Sequence, residues 1–192
     1  MKTKFLGLCI VLIIVGLTSC LSVIPTDSNG KRLKDSECVI TNIEQIFETK
    51  KADKQLLKDL KTNLGKLYTN TINSSGASIF GPDAALSYSN FNDAINESAK
   101  TPLQDTSMLL TMIDLSRPDW KLQYSIQLDF KDNRVRMILS DFHGFTTNLT
   151  TKKLVEARIN NNVFWYTVYK NATDSTIAAI KSSCEDSSKT DW

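Results

Sequence analysis

The chain has one histidine, four cysteines and only seven glycines among its 192 residues, and each shortage removes a class of chemistry. A nucleophile-base-acid arrangement has a single possible imidazole, His143, which needs a hydroxyl or thiol within hydrogen-bond reach and an acid to orient the ring. Asp141 stands two residues away, but no G-x-S-x-G elbow presents a nucleophile. His143-Gly144 therefore reads as a loop beside a strand pair. Phosphate cradles need closely spaced glycines whose backbone N–H groups reach the oxygens, and neither G-x-G-x-x-G nor G-x-x-x-x-G-K-[ST] occurs. No C-x-x-C or H-x-x-x-H spacing offers a metal site, so neither a metal nor a cofactor is expected. Glu44, Glu48, Asp129 and Asp141 are candidates for paired-carboxylate chemistry only as every acid is, because that chemistry depends on a separation in space.

What is present starts at the N-terminus. Lys2 and Lys4 make a positive start, Phe5 to Leu17 is uncharged and apolar, and Thr18 and Ser19 are small. That order is the pattern of a secretory signal, and its apolar run is shorter than the roughly 20 residues that span a bilayer. Leu21, Val23 and Ile24 prolong the apolar character, so an uncleaved anchor from Phe5 to Ile24 is the competing reading. Leu17-Thr18-Ser19-Cys20 resembles the lipobox of bacterial lipoproteins. The resemblance implies that residues 1–19 are removed by signal peptidase II, and that Cys20 carries a diacylglyceryl group and an acylated amine. Palmitate-type chains, each methylene worth about 0.8 kcal/mol on burial, would hold the protein on the cell membrane or outer membrane. Leu21 is not the Asp that marks inner-membrane retention, which makes the outer membrane the default in a two-membrane cell.

Loss of the leader also removes Lys2 and Lys4, which account for the whole formal charge of +2. The remaining chain is neutral and has no basic surplus to neutralise phosphates, so nucleic acid is not an expected partner. Cys9 leaves with the leader and Cys20 is acylated. The remaining pair, Cys38 and Cys184, is expected to form a disulfide in an exported chain, two buried free thiols being the other reading. Residues 20–36 read as a tether, 37–184 as one globular domain and 185–192 as a polar tail.

Within the domain, β-branched residues from Cys38 to Phe47 predict a first strand. Asp53 is placed to cap a helix whose stripe is Leu56, Leu57, Leu60, Leu64, Leu67 and Tyr68. A weak middle stretch, Thr69 to Pro102, offers a short strand at Ala84 to Tyr88 and a helix from Phe91 to Ala99. Met108 to Leu115 suits a strand or a buried helical turn. Trp120, Leu122, Tyr124, Ile126, Leu128 and Phe130 alternate with polar residues, the period of a half-buried strand. Lys131-Asp132-Asn133-Arg134 supplies a turn, and Val135 to Phe142 returns as the hairpin partner. Leu154 to Ile159 is ambiguous. Asn160-Asn161-Asn162 can cap a last helix from Val163 to Cys184, although Phe164-Trp165-Tyr166 also suits a strand. The expected class is α+β, an antiparallel sheet with helices on one face.

The hairpin from Leu122 to Arg136, ending in Asp141-Phe142, resembles the uncharacterised TBP-like-fold domain family of exported bacterial proteins. The resemblance implies a fold and no activity or site residues, and the extended middle segment departs from the family's compact pattern. Three functions compete: a non-catalytic module binding an envelope protein or cell-wall polymer, a hydrolase with an unrecognised site near His143, and a carrier whose apolar cavity is lined by Trp120, Trp165 and Met108 to Met112. The first is expected, because an anchor is present and a catalytic constellation is not.

Overall fold

The computed structural model describes Thr26 and residues 30–185, apart from 75–80, 118 and 149. The signal, Cys20 and the tail beyond Glu185 lie outside the described residues. The elements in chain order are β1 (Ile43–Glu48), α1 (Asp53–Ser74), α2 (Gly81–Ser98), β2 (Thr106–Arg117), β3 (Trp120–Lys131), β4 (Arg134–Thr147), β5 (Leu154–Ala157) and α3 (Val163–Cys184). All strand pairs are antiparallel in the order β1-β4-β3-β2, and β5 pairs with the far half of β4. The class is α+β, as the sequence predicts.

Alternation in β3 places Leu122, Tyr124, Ile126, Leu128 and Phe130 in the core, while Gln123, Ser125, Gln127 and Asp129 are only partly covered. Val135, Met137 and Leu139 of β4 and Met108, Leu110 and Met112 of β2 extend the same buried face. Leu56, Leu57, Leu60 and Leu64 of α1 and Trp165, Val168, Tyr169, Ala172 and Ile180 of α3 cover it. The β3–β4 turn is a two-residue loop with Asp132 at φ 49° and Asn133 at φ 58°. Two successive positive φ values suit the twist of a hairpin, and Asp and Asn tolerate them. Asn162 caps α3, its side-chain oxygen accepting from Trp165 N–H at 3.1 Å.

Four expectations about elements need correction. His143-Gly144 is not a loop but part of β4, which runs on to Thr147 and pairs with β3 there. Ala84 to Tyr88 lies inside α2, not in a strand. Ala84, Ser87, Phe91 and Ile95 recur at helical spacing and are buried, and α2 lies along the edge strand β2. There Ser87 Oγ and Tyr68 OH both donate to Thr111 O, occupying an edge carbonyl that would otherwise invite pairing with another chain. The first strand starts at Ile43, because Asp35–Glu37 form a 3₁₀ turn and Cys38 follows it. Asp53 does not cap its own helix; its carboxylate accepts from Leu103 N–H at 2.8 Å and ties the α2–β2 link to the start of α1.

A bulge in β4 sets which residues face outward. The register with β3 slips between Gln123↔His143 and Ser125↔Ser140, and Asp141 adopts φ 54°. Without the extra residue, Asp141 and His143 would point into the core after Leu139. The slip instead turns Phe142 and Gly144 inward and leaves His143 exposed. Gly144 is needed there, because a Cβ would stand 2.2 Å from Ile159 Cγ2 and 3.0 Å from the Trp165 ring. Gly144→Ala should therefore cost about 1–3 kcal/mol by overpacking, measured by urea unfolding. A loss below about 0.5 kcal/mol would mean that Ile159 and Trp165 do not seat on this glycine.

Candidate functional site on the open sheet face

The helices cover one face of the sheet, and the other carries a hydrogen-bonded lattice of side chains. One row across the strands is Ser107, Asp129, Arg136 and Ile46, in register on β2, β3, β4 and β1. Asp129 accepts from Ser107 Oγ and, at 2.9 Å, from Gln127 Nε2. Arg136 Nε donates to Glu44 Oε1 at 2.7 Å, and its Nη1 lies 3.7 Å from Asp129 Oδ2. Hydrogen bonds from Gln127 and Ser107, with the Arg136 charge behind them, hold the Asp129 carboxyl below its usual range. Such cross-strand pairs fix side-chain direction more than they stabilise an exposed surface. Ile46 and Leu109 flank the lattice on β1 and β2 and are 57% and 69% exposed. A groove of about 400 Å³ runs between Ile46, Arg136 and the β3–β4 turn.

The opposite end of this face is closed. Lys121 is 5% exposed, pairs with Asp83 at 2.9 Å and lies 4.6 Å over the Phe145 ring. Ile113 and Leu115 form a small apolar cluster against that ring. The accessible part is therefore the half near the β3–β4 turn.

His143 and Asp141 are not brought together. The acid beside His143 is Glu156 of β5, with its Oε1 2.9 Å from Nδ1 and both side chains at least half exposed. Asp141 instead accepts from Ser140 Oγ. No hydroxyl or thiol among the described residues is hydrogen-bonded to His143, so a base and an acid stand without a nucleophile. Glu156 escapes sequence reasoning because β5 has no alternation to reveal its pairing with β4. Of the other acids, Glu44 and Asp129 belong to the lattice, and Glu48 lines a separate cleft of about 810 Å³ with Cys184 and the β3–β4 turn. Among the described residues no group of three His, Cys, Asp or Glu side chains could hold a metal ion. Tyr124 is wholly buried, its OH 2.8 Å from Thr176 Oγ1, and burial pushes its phenol pKa up, away from proton transfer near neutrality.

The cavity that the carrier alternative needs is filled by packing at the tryptophans. Met108 and Met112 are core residues. Trp120 meets Phe164 at 4.2 Å and Trp165 at 5.2 Å between ring centroids, and Trp165 fills the space over Gly144.

The expected Cys38–Cys184 disulfide is a further correction, because both residues are free, buried cysteines. Cys38 O accepts from Asn161 N–H, immediately before α3, whereas Cys184 is the last residue of that 22-residue helix. A helix of that length spans about 33 Å, and a bridge needs Cα atoms within roughly 7 Å. Burial pushes the Cys184 thiol up to about 11, and burial with the charges of Asp35 and Glu37 raises Cys38. Both thiols should resist alkylation in folded protein, since the thiolate is the reactive form. Both should react once unreduced protein is unfolded; two unreactive thiols there would mean a bridge and a different fold.

No family model matches the chain, and no curated protein is similar to it. Among solved structures, a TBP-like protein from Parabacteroides distasonis is similar at a TM-score of 0.38 and 14% identity, over 74% of this chain and 97% of that one.

Proposed function

We propose that this protein is an exported lipoprotein, held on a membrane through Cys20, whose domain is a non-catalytic binding or assembly module. The observation that supports the binding role is the half-open sheet face, where fixed donors and acceptors lie between the exposed Ile46 and Leu109. Such a face offers hydrogen bonds and apolar contact to an envelope partner, and among the described residues it holds no group poised for covalent chemistry. The hydrolase reading would need a nucleophile beside the His143–Glu156 pair.

The anchor is tested by labelling cells with a fatty-acid analogue. The normal chain should be labelled and Cys20→Ser should not; equal labelling of both removes the lipoprotein reading. The binding role is tested by in-cell crosslinking of the normal chain and an Ile46→Arg, Leu109→Arg variant. A discrete crosslinked species should form with the normal chain and disappear with the variant. Its persistence in the variant would move the binding surface elsewhere.

A further inference from the structure

A groove of about 670 Å³ lies between the start of α1 and the end of α2, away from the sheet face. Ala99 and Pro102 give it an exposed apolar wall above the buried Leu57 and Ile95, and Lys54, Lys58, Lys61 and Lys100 stand around it with the Asp53 carboxylate. Three of these lysines recur at four and three residues along α1, which puts them on one face of the helix, about one 5.4 Å turn apart. Like charges at that spacing work against the helix. The neighbouring acids relieve them only in part, since the Asp53 carboxylate at the groove's edge forms no ion pair with a lysine and the other acids are engaged elsewhere on the helices. Asp53 accepts from Leu103 N–H, Asp59 pairs with Lys51 at 2.5 Å, and Glu97 pairs with Lys100 at 2.6 Å. Lys61 reaches only the neutral Asn96, at 3.4 Å. Among the described residues Lys54 and Lys58 make no ion pair.

The position of the groove bears on what fills it. The tether joins the domain at the start of α3, where Asp35 Oδ1 accepts from Val163 N–H and Cys38 O from Asn161 N–H. The groove is at the other end of that helix, where Lys51, two residues before α1, donates to Ser183 O at 2.8 Å. About 33 Å of helix separates the two ends. A domain tethered at one end leaves the other free to meet a ligand, a step that rests on the anchor proposed above.

We propose that this groove binds an anionic glycan, a sugar polymer bearing carboxylate or phosphate groups. The regularly placed Lys54, Lys58 and Lys61 ammonium groups would meet its charges, and the exposed Ala99 and Pro102 would take the C–H faces of its sugar rings.

The test is lysine footprinting of the full chain in neutral detergent micelles, with acetylation of each lysine read by peptide mass spectrometry. The probes are polygalacturonate, poly(ribitol phosphate), neutral dextran and phosphatidylglycerol added to the micelles. At twice the Kd of a bound polymer, labelling of Lys54, Lys58, Lys61 and Lys100 should slow about threefold, following 1 + [L]/Kd. Dextran should leave it unchanged, and the exposed Lys66, Lys170 and Lys181 should keep their rates throughout. A Lys54→Gln, Lys58→Gln variant, altered only at exposed positions, should lose the protection at Lys61 and Lys100. Slowing with neither anionic polymer, equal slowing of all lysines, or slowing only with phosphatidylglycerol would overturn the proposal, the last by assigning the groove to a lipid surface. The readout does not involve Cys20, so loss of the fatty-acid label and loss of lysine protection are separate failures.

Discussion

Trp165→Ala should destabilise the domain by about 3–5 kcal/mol, in the range for removing a fully packed aromatic side chain. In a domain of this size each kcal/mol lowers Tm by roughly 2–4 °C, so thermal unfolding reads the loss directly. Trp165 is 2% exposed and holds three parts of the molecule together. Its ring seats over Gly144 of β4, meets Trp120 of β3, and starts α3 through the N–H that Asn162 caps. Truncation leaves a cavity over a glycine, which has no side chain to move into it. A loss below about 1.5 kcal/mol would mean that the start of α3 does not dock on this part of the sheet.

Ile126→Ala should cost about 2–5 kcal/mol, because Ile126 is fully buried at the centre of β3. Gln123→Ala and Ser125→Ala, on the opposite face of the same strand, should each cost less than about 0.5 kcal/mol. Urea unfolding of the three variants separates the faces. Similar losses on both would mean that the outer face is covered and unavailable to a partner.

The alternation in β3 and the apolar stripe of α1 were both legible in the sequence, because each repeats over five or more positions with one side polar. The Asp132-Asn133 turn and the Asn162 cap were legible from residue chemistry alone. The β4 bulge was not, since Asp141 carries no mark of a positive φ until its partner strand is in place. That one slip decides that His143 faces outward beside Glu156. Ala84 to Tyr88 was misread because five residues are too few to separate a strand from a helix whose packing on β2 fixes it. Counting cysteines gave an even pair but no distance, and α3 stands between Cys38 and Cys184. The lysines of α1 were as visible as its leucines, yet a charged stripe acquires meaning only when the groove beside it is seen.

The reading as a lipid-anchored module with a disulfide-free domain is tested most directly by intact mass spectrometry of protein taken from its own cells, alkylated after unfolding without reduction. The account predicts a chain beginning at Cys20, heavier by a diacylglyceryl group and an acyl chain, with two alkyl groups on Cys38 and Cys184. A chain that retains residues 1–19 without lipid, or one that takes up no alkyl group at those two thiols, would contradict it.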